Sequence, residues 1–385
     1  MNFFENYFFM NKETRFNGSK NKFLLNLKNS KTLLAIEKMN ALGQSGTPFV
    51  FIIDYALKQP QVLSFEAAAE KNIFFEMNGV QNFFLHTKKK ISKNIFPEKN
   101  SQNVFEKKNE NILKNIFKKK FTEKIFFEKN PETFDVYEKK IKKIIAGLKF
   151  GNSFLANLTC ATPIETNLSL KEIFLRSHAK YKLLYKNKFV CFSPETFIKI
   201  AAGKISTYPM KGTIDVAILN AENIILNDEK EKAEHITTVD LLRNDLGSIC
   251  DKVWVEKFRY TDKIFTHNGA LLQVSSEICG TLPSDYLEQL GTLLFQLLPA
   301  GSICGAPKQE TLHLIKSAED YERGFYTGIC GVFDGKNLDS GVLIRFIERT
   351  PTGLVFKSGG GITAQSNPRA EYEEMIQKIY LGIRY

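Results

Sequence analysis

From Val190 to the C-terminus, short apolar runs with strand character follow one another at Leu271–Ile278, Gly328–Phe333, Val342–Ile347 and Leu354–Ser358. Only two long helical patterns are set among them, Lys230–Leu246 and Pro368–Tyr380, the second with its proline in the first turn. A parallel sheet needs a crossover of a dozen or more residues between successive strands. That regular β-α alternation is missing here, and no G-x-G-x-x-G follows a strand. The pattern therefore predicts an α+β domain built on antiparallel sheets.

Upstream, Phe49–Ile53 and Asn72–Glu76 read as strands. Phe134–Leu148 reads as an amphipathic helix, with Tyr137, Ile141, Ile144, Ile145 and Leu148 on one face and Gly151 as a stop, and Phe154–Thr159 as the strand after it. The 385 residues divide by composition. Residues 1–35 form an Asn/Lys/Phe-rich, partly ordered tail, and 36–86 a short N-terminal part. Residues 87–130 are a low-complexity insertion with a candidate helix over Asn109–Lys120, and 131–385 are the main domain. The insertion holds thirteen lysines against five glutamates, so eight of the eleven net positive charges lie in it. A basic nucleic-acid-binding fold would spread that charge over the body of the chain, and this one does not.

Six cysteines at wide spacings, none in a C-x-x-C pair, suggest reduced thiols in a cytoplasmic protein. The five histidines lack zinc-ligand spacing. No apolar run approaches the ~18 residues of a membrane span, and Met1–Met10 has neither a basic n-region nor a small-residue cleavage site.

Several constellations carry possible chemistry. Lys211 stands in Tyr208-Pro209-Met210-Lys211-Gly212-Thr213, held between a proline and a glycine, with the glutamate of Ser193-Pro194-Glu195 sixteen residues upstream as a candidate proton donor. Glu231 and Glu234 lie three apart on one expected helix, and Glu371 and Glu374 three apart on another. Each pair projects to one face. Facing each other they would suit a hard cation such as Mg2+, and apart they are solvated helix faces. Gly359, Gly360 and Gly361 follow a strand, either as an anion cradle or as a tight turn. Leu298–Lys308 is a second loop of small residues; its Cys304 has no neighbouring histidine to activate it. Arg345 falls inside the apolar run Leu343–Ile347 and needs a carboxylate partner, from the protein or from a substrate.

The order and number of these segments resemble the chorismate-utilising enzymes, the family of anthranilate, aminodeoxychorismate, isochorismate and salicylate synthases. The resemblance runs from about Phe134 to the C-terminus through Pro209–Thr213, Lys232–His235, Val239–Leu246, Gly305–Lys308, Arg323–Tyr326, the Arg345 segment and Gly359–Glu374. It implies two large antiparallel sheets packed as a sandwich with flanking helices. It implies Mg2+ held mainly by Glu234 and Glu374, with Glu231 and Glu371 close by. Arg345, Tyr326 and Gly359–Gly361 would hold the enolpyruvyl carboxylate of chorismate, and Thr213 and Lys378 match further ligand-contacting positions.

Within the family, lysine at the Lys211 position marks the aminodeoxychorismate synthases, where it acts as a covalent nucleophile and would need a lowered pKa. Glu195 matches the acid that protonates the departing hydroxyl. Gln273 stands where many relatives carry a histidine linked with pyruvate elimination, and Cys304 where a threonine is usual. The tryptophan-feedback motif is not found. The chain shows no glutaminase signature, so the resemblance implies ammonia from a separate glutamine amidotransferase subunit, with neither nucleic acid nor membrane as partner.

Overall fold

The computed structural model describes residues 29–83, 124–266 and 269–383. Two nine-stranded sheets, antiparallel throughout, form its centre. The first runs from Met210–Asp215 through Gly269–Thr281, Lys204–Thr207, Thr196–Ala201, Leu338–Val342, Ile329–Phe333 and Phe49–Ile53 to Gln61–Leu63, with Lys252–Thr266 also paired on Gly269–Thr281. The second runs from Gly305–Ala306 through Leu155–Thr166, Gly353–Ile362, Phe346–Thr350, Phe189–Ser193, Tyr181–Tyr185 and Ile73–Met77 to Val80–Gln81, with Phe127–Lys129 also paired on Leu155–Thr166.

Strand periodicity explains how the sheets stack. Side chains alternate faces along a strand. Phe49, Phe51 and Ile53 enter a core with the helices Ser30–Gln44, Glu229–Gly247 and Leu290–Gln296. Their neighbours Val50 and Ile52 enter a different core, shared with Phe75, Tyr181, Leu183 and Phe346 of the second sheet. On the far side, Leu184, Val190 and Phe192 pack with the helices Phe134–Lys149, Leu170–Arg176, Lys308–Ala318 and Pro368–Gln377. The order of layers is helices, sheet, sheet, helices. Strands buried on both faces read as continuous apolar runs, which is why Phe49–Ile53 was legible.

Several boundaries differ from the sequence reading. Helix Ser30–Gln44 starts inside the stretch assigned to a tail, capped by Asn29. Residues 49–81 supply strands to both sheets. Strand Phe127–Lys129 lies within the stretch assigned to the insertion; the candidate helix at 109–120 falls outside the described residues. Val342–Ile347 is not one strand. Leu338–Val342 belongs to the first sheet and Phe346–Thr350 to the second, and Leu343–Arg345 carries the chain across. The apolar run persists through the crossing because the crossing itself is buried between the sheets. Arg345 is thus in no strand. It takes a left-handed backbone at φ 53° and is half-buried. Gly359–Gly361, expected in a loop, lies within strand Gly353–Ile362, opposite Thr159, Leu158 and Asn157.

Candidate active site

Two crossings between the sheets lie side by side. Ser193-Pro194-Glu195 carries the chain from the second sheet to the first, and Leu343–Arg345 carries it back. They are laced together: Val342 N–H donates to Glu195 O at 3.1 Å and Phe192 N–H to Arg345 O at 3.1 Å. Glu195 and Arg345, 150 residues apart in sequence, therefore face the same space. Ser302 Oγ donates to Glu195 Oε1 at 3.1 Å. Burial raises the Glu195 carboxyl above the usual range, against the pull of Ser302, Arg345 and Lys378. Arg345 Nε donates to Tyr380 Oη at 3.0 Å, and its guanidinium lies 5.3 Å from the centre of that ring. Of the two partners expected for Arg345, a carboxylate of the protein or one of a substrate, no protein carboxylate forms an ion pair with it among the described residues, although Glu195 feels its charge. Tyr326 is buried against Phe346 and feels the charge of Arg345.

Lys211 sits where strand Met210–Asp215 bulges against Gly269–Thr281, with the register shifting between Met210 and Thr213. Gly212 takes φ +83° there. A bulge re-aims the side chains beside it, and Lys211 turns to helix Glu229–Gly247, its Nζ 2.7 Å from Glu234 Oε2. Glu231 stands on the same helical face, its Oε2 about where a Cβ on Gly212 would crowd it, at 3.0 Å. Helix Pro368–Gln377 brings the other pair. Lys378 Nζ lies 2.7 Å from Glu374 Oε1 and donates to Gly359 O at 2.9 Å, and Ser366 Oγ donates to Glu371 Oε1 at 2.8 Å. A Cβ built on Gly360 would meet Glu371, Lys378 and Glu374 at 3.5–3.8 Å, so the glycine strand forms the floor beneath these three. Lys211 interacts electrostatically with Glu234, Glu374 and Glu231, which joins the two glutamate pairs into one cluster.

The charges set the protonation. Burial would lower the Lys211 ammonium, but Glu234, Glu374 and Glu231 outweigh it and raise its pKa. This overturns the lowered pKa expected from burial and cationic neighbours: the neighbours here are carboxylates. Burial and the like charges of Glu234 and Asp228 raise Glu231, and burial and Glu374 raise Glu371. For Glu374, burial is outweighed by Lys378 and the carboxyl titrates low.

Not every expected residue joins. Thr213 is exposed beyond the bulge, opposite Gln273, and its hydroxyl makes no hydrogen bond among the described residues. Glu195 pairs with Ser302 rather than with Lys211. Ser302, Ser366 and Tyr380 were not foreseen; a lone serine or tyrosine carries no periodic or motif signal, and only the fold brings them in. His235 was quoted only as part of a motif. It is fully buried, its Nε2 2.7 Å from Ser276 Oγ, and burial with Arg259 and Lys211 lowers its pKa to about 4. It locks the glutamate helix to the strand beside the Lys211 bulge. All six cysteines are free and buried.

The donor chemistry of the cluster fits a hard divalent cation. Four carboxylates on two helices converge, and the ammonium groups of Lys211 and Lys378 already stand among them as cations. No group of three or more His, Cys, Asp or Glu side chains is drawn into ligand geometry among the described residues.

Two packed antiparallel sheets with helices outside, and a glutamate–lysine cluster between sheet edge and helices, define a class of α+β enzyme. The chain belongs to the chorismate binding enzymes, matching that family over residues 5–382. It is 44% identical over 351 residues to an uncharacterized PabA-like protein of Pasteurella multocida, covering 90% of this chain and 98% of that one. It is 29% identical to aminodeoxychorismate synthase component 1 of Bacillus subtilis, over 65% of this chain and 55% of that one. The fold matches the menaquinone-specific isochorismate synthase of Escherichia coli with TM-score 0.61 at 13% identity, covering 89% of this chain and 79% of that one. Among the described residues no helix is long and apolar enough to cross a membrane.

Proposed function

We propose that the chain is the chorismate-converting component of an aminodeoxychorismate synthase, making 4-amino-4-deoxychorismate from chorismate and ammonia. The observation that carries this reading is the position of Lys211, inside the glutamate cluster of a chorismate binding enzyme. Lys211, after its ammonium proton passes to solvent, attacks C2 of chorismate as the free amine while the C4–O bond breaks. Glu195, its carboxyl raised above the usual range by burial, gives its proton to the departing hydroxyl, which leaves as water. Ammonia then forms the C4–N bond and the C2–N bond to Lys211 breaks, which returns the lysine. Covalent catalysis splits one hard displacement into two easier ones.

Arg345, Tyr326, Lys378 and the backbone of Gly359–Gly361 are the groups that would hold carboxylates of the substrate, and Thr213 would reach it from the strand edge. Glu234 and Glu374, with Glu231 and Glu371, would hold Mg2+, which supplies charge for the ring carboxylate. Gln273, opposite Thr213, supports a product that keeps its enolpyruvyl group. The ammonia would come from a separate glutamine amidotransferase subunit.

Product analysis from chorismate, Mg2+ and an ammonium salt tests the reading. The wild-type chain should yield aminodeoxychorismate by mass, and Lys211→Ala should lose at least ~100-fold of that rate. Anthranilate, recognised by its fluorescence and loss of pyruvate, or isochorismate as the wild-type product would overturn it, as would full activity in Lys211→Ala.

A further inference from the structure

Each glutamate that would bear most of the cation's coordination already has a cation. Lys211 Nζ is 2.7 Å from Glu234 Oε2, and Lys378 Nζ is 2.7 Å from Glu374 Oε1. The first pair is sheltered, with side-chain exposures of 28% and 14%, so water screens it far less than a surface pair. Glu371 is held by Ser366, and Glu231 stands apart over Gly212. Three of the four carboxylates, Glu234, Glu374 and Glu371, thus have their own partners, and no three of the four meet as ligands among the described residues. An ammonium and a divalent cation cannot share one carboxylate oxygen at contact distance without strong repulsion between them.

We propose that Lys211 and Lys378 are the resident counter-cations of this cluster, and that a divalent cation and these ammonium groups are alternative occupants of Glu234 and Glu374. The inference rests on the cation-binding reading of the four glutamates given above. Lys211 then has two positions. It lies against Glu234 in one, and in the other it leaves Glu234 to serve another cation, which is when its amine can face a substrate. The binding site and the proposed nucleophile are therefore antagonists for one carboxylate.

The test is direct binding of Mn2+ alone to the metal-stripped full chain, without chorismate, at one pH and ionic strength. Calorimetry and the electron paramagnetic resonance signal of free Mn2+ give the affinity. Lys211→Met and Lys378→Met should each bind Mn2+ about tenfold tighter than wild type, because each frees a carboxylate and removes a competing charge. Lys211→Arg keeps the cation and should bind no tighter than wild type. Lys230→Met removes a mostly exposed lysine 4.0 Å from Glu234 Oε1 and should change affinity less than about threefold. Unchanged or weaker binding in both methionine variants overturns the competition while leaving the cation site standing. An equal gain from Lys230→Met also overturns it, since general charge would then explain the effect. Absence of Mn2+ binding in every protein, with cooperative thermal unfolding retained, removes the cation-site reading itself and the competition with it. If Lys378→Met does not unfold cooperatively, Lys211→Met decides.

Discussion

Lys211 and Glu195 stood out in the sequence as candidate positions, but their surroundings were not legible there. A lysine beside a proline and a glycine has no visible charge environment until helix Glu229–Gly247 lays Glu234 across it. Glu195 likewise acquires its raised carboxyl only from the enclosure made by the two crossings. Glu195→Gln keeps the size of the side chain and removes the acid. It should lower kcat by roughly a hundredfold or more with little change in KM, measured with chorismate and ammonium. The same substitution has a stability signature with a defined sign. Because its pKa is raised in the folded chain, wild-type Glu195 contributes stability that is complete below the ordinary carboxylate range and lost as pH rises through the raised value. Glu195→Gln should therefore gain stability relative to wild type between about pH 4 and pH 7, read from urea midpoints at the two values. A difference that is constant with pH would count against the raised carboxyl.

Helices and strands divide into those whose period survives in the sequence and those whose role depends on a neighbour. Helix Phe134–Lys149 was read nearly to its ends, since Tyr137, Ile141, Ile144 and Leu148 repeat at helical spacing and all four are buried. The bulge at Met210–Thr213 has no such period. It exists because the strand must shift register against Gly269–Thr281, and Gly212 accepts the left-handed backbone that this needs. Alanine there meets both a positive φ and Glu231 Oε2 at 3.0 Å. Gly212→Ala should destabilise the chain by about 1–2 kcal/mol and reduce turnover more than that loss explains. Thermal unfolding and kcat on the same sample give the two parts. Gly359–Gly361 failed as a loop for a related reason: three glycines look like a turn, but here small residues line a strand so that Glu371, Glu374 and Lys378 can sit close over Gly360.

The sandwich depends on the closeness of its two sheets. Gly341 of the first sheet lies against the ring of Tyr181 in the second, where a Cβ would stand 2.4 Å from the ring carbon. Tyr181 in turn donates to Asp339 Oδ1 at 2.5 Å, which stitches the sheets through one side chain. Gly341→Ala should cost about 1–3 kcal/mol by overpacking, measured by urea denaturation. Because Gly341 is two residues from the Leu343–Arg345 crossing, residual activity in that variant should fall through the position of Arg345.

The α+β class, the strand-rich antiparallel character and the two glutamate pairs followed from the order of residues alone, because hydrophobic period and helical spacing are local properties that each segment carries with it. The motifs carried the family likeness for the same reason. Which strand entered which sheet, why Arg345 left its apolar run for a buried crossing, and why Lys211 holds its proton were fixed only by the assembled molecule. Those outcomes depend on which distant carboxylates, rings and backbones meet, and Coulomb attraction and burial act between segments that the chain keeps far apart until it folds.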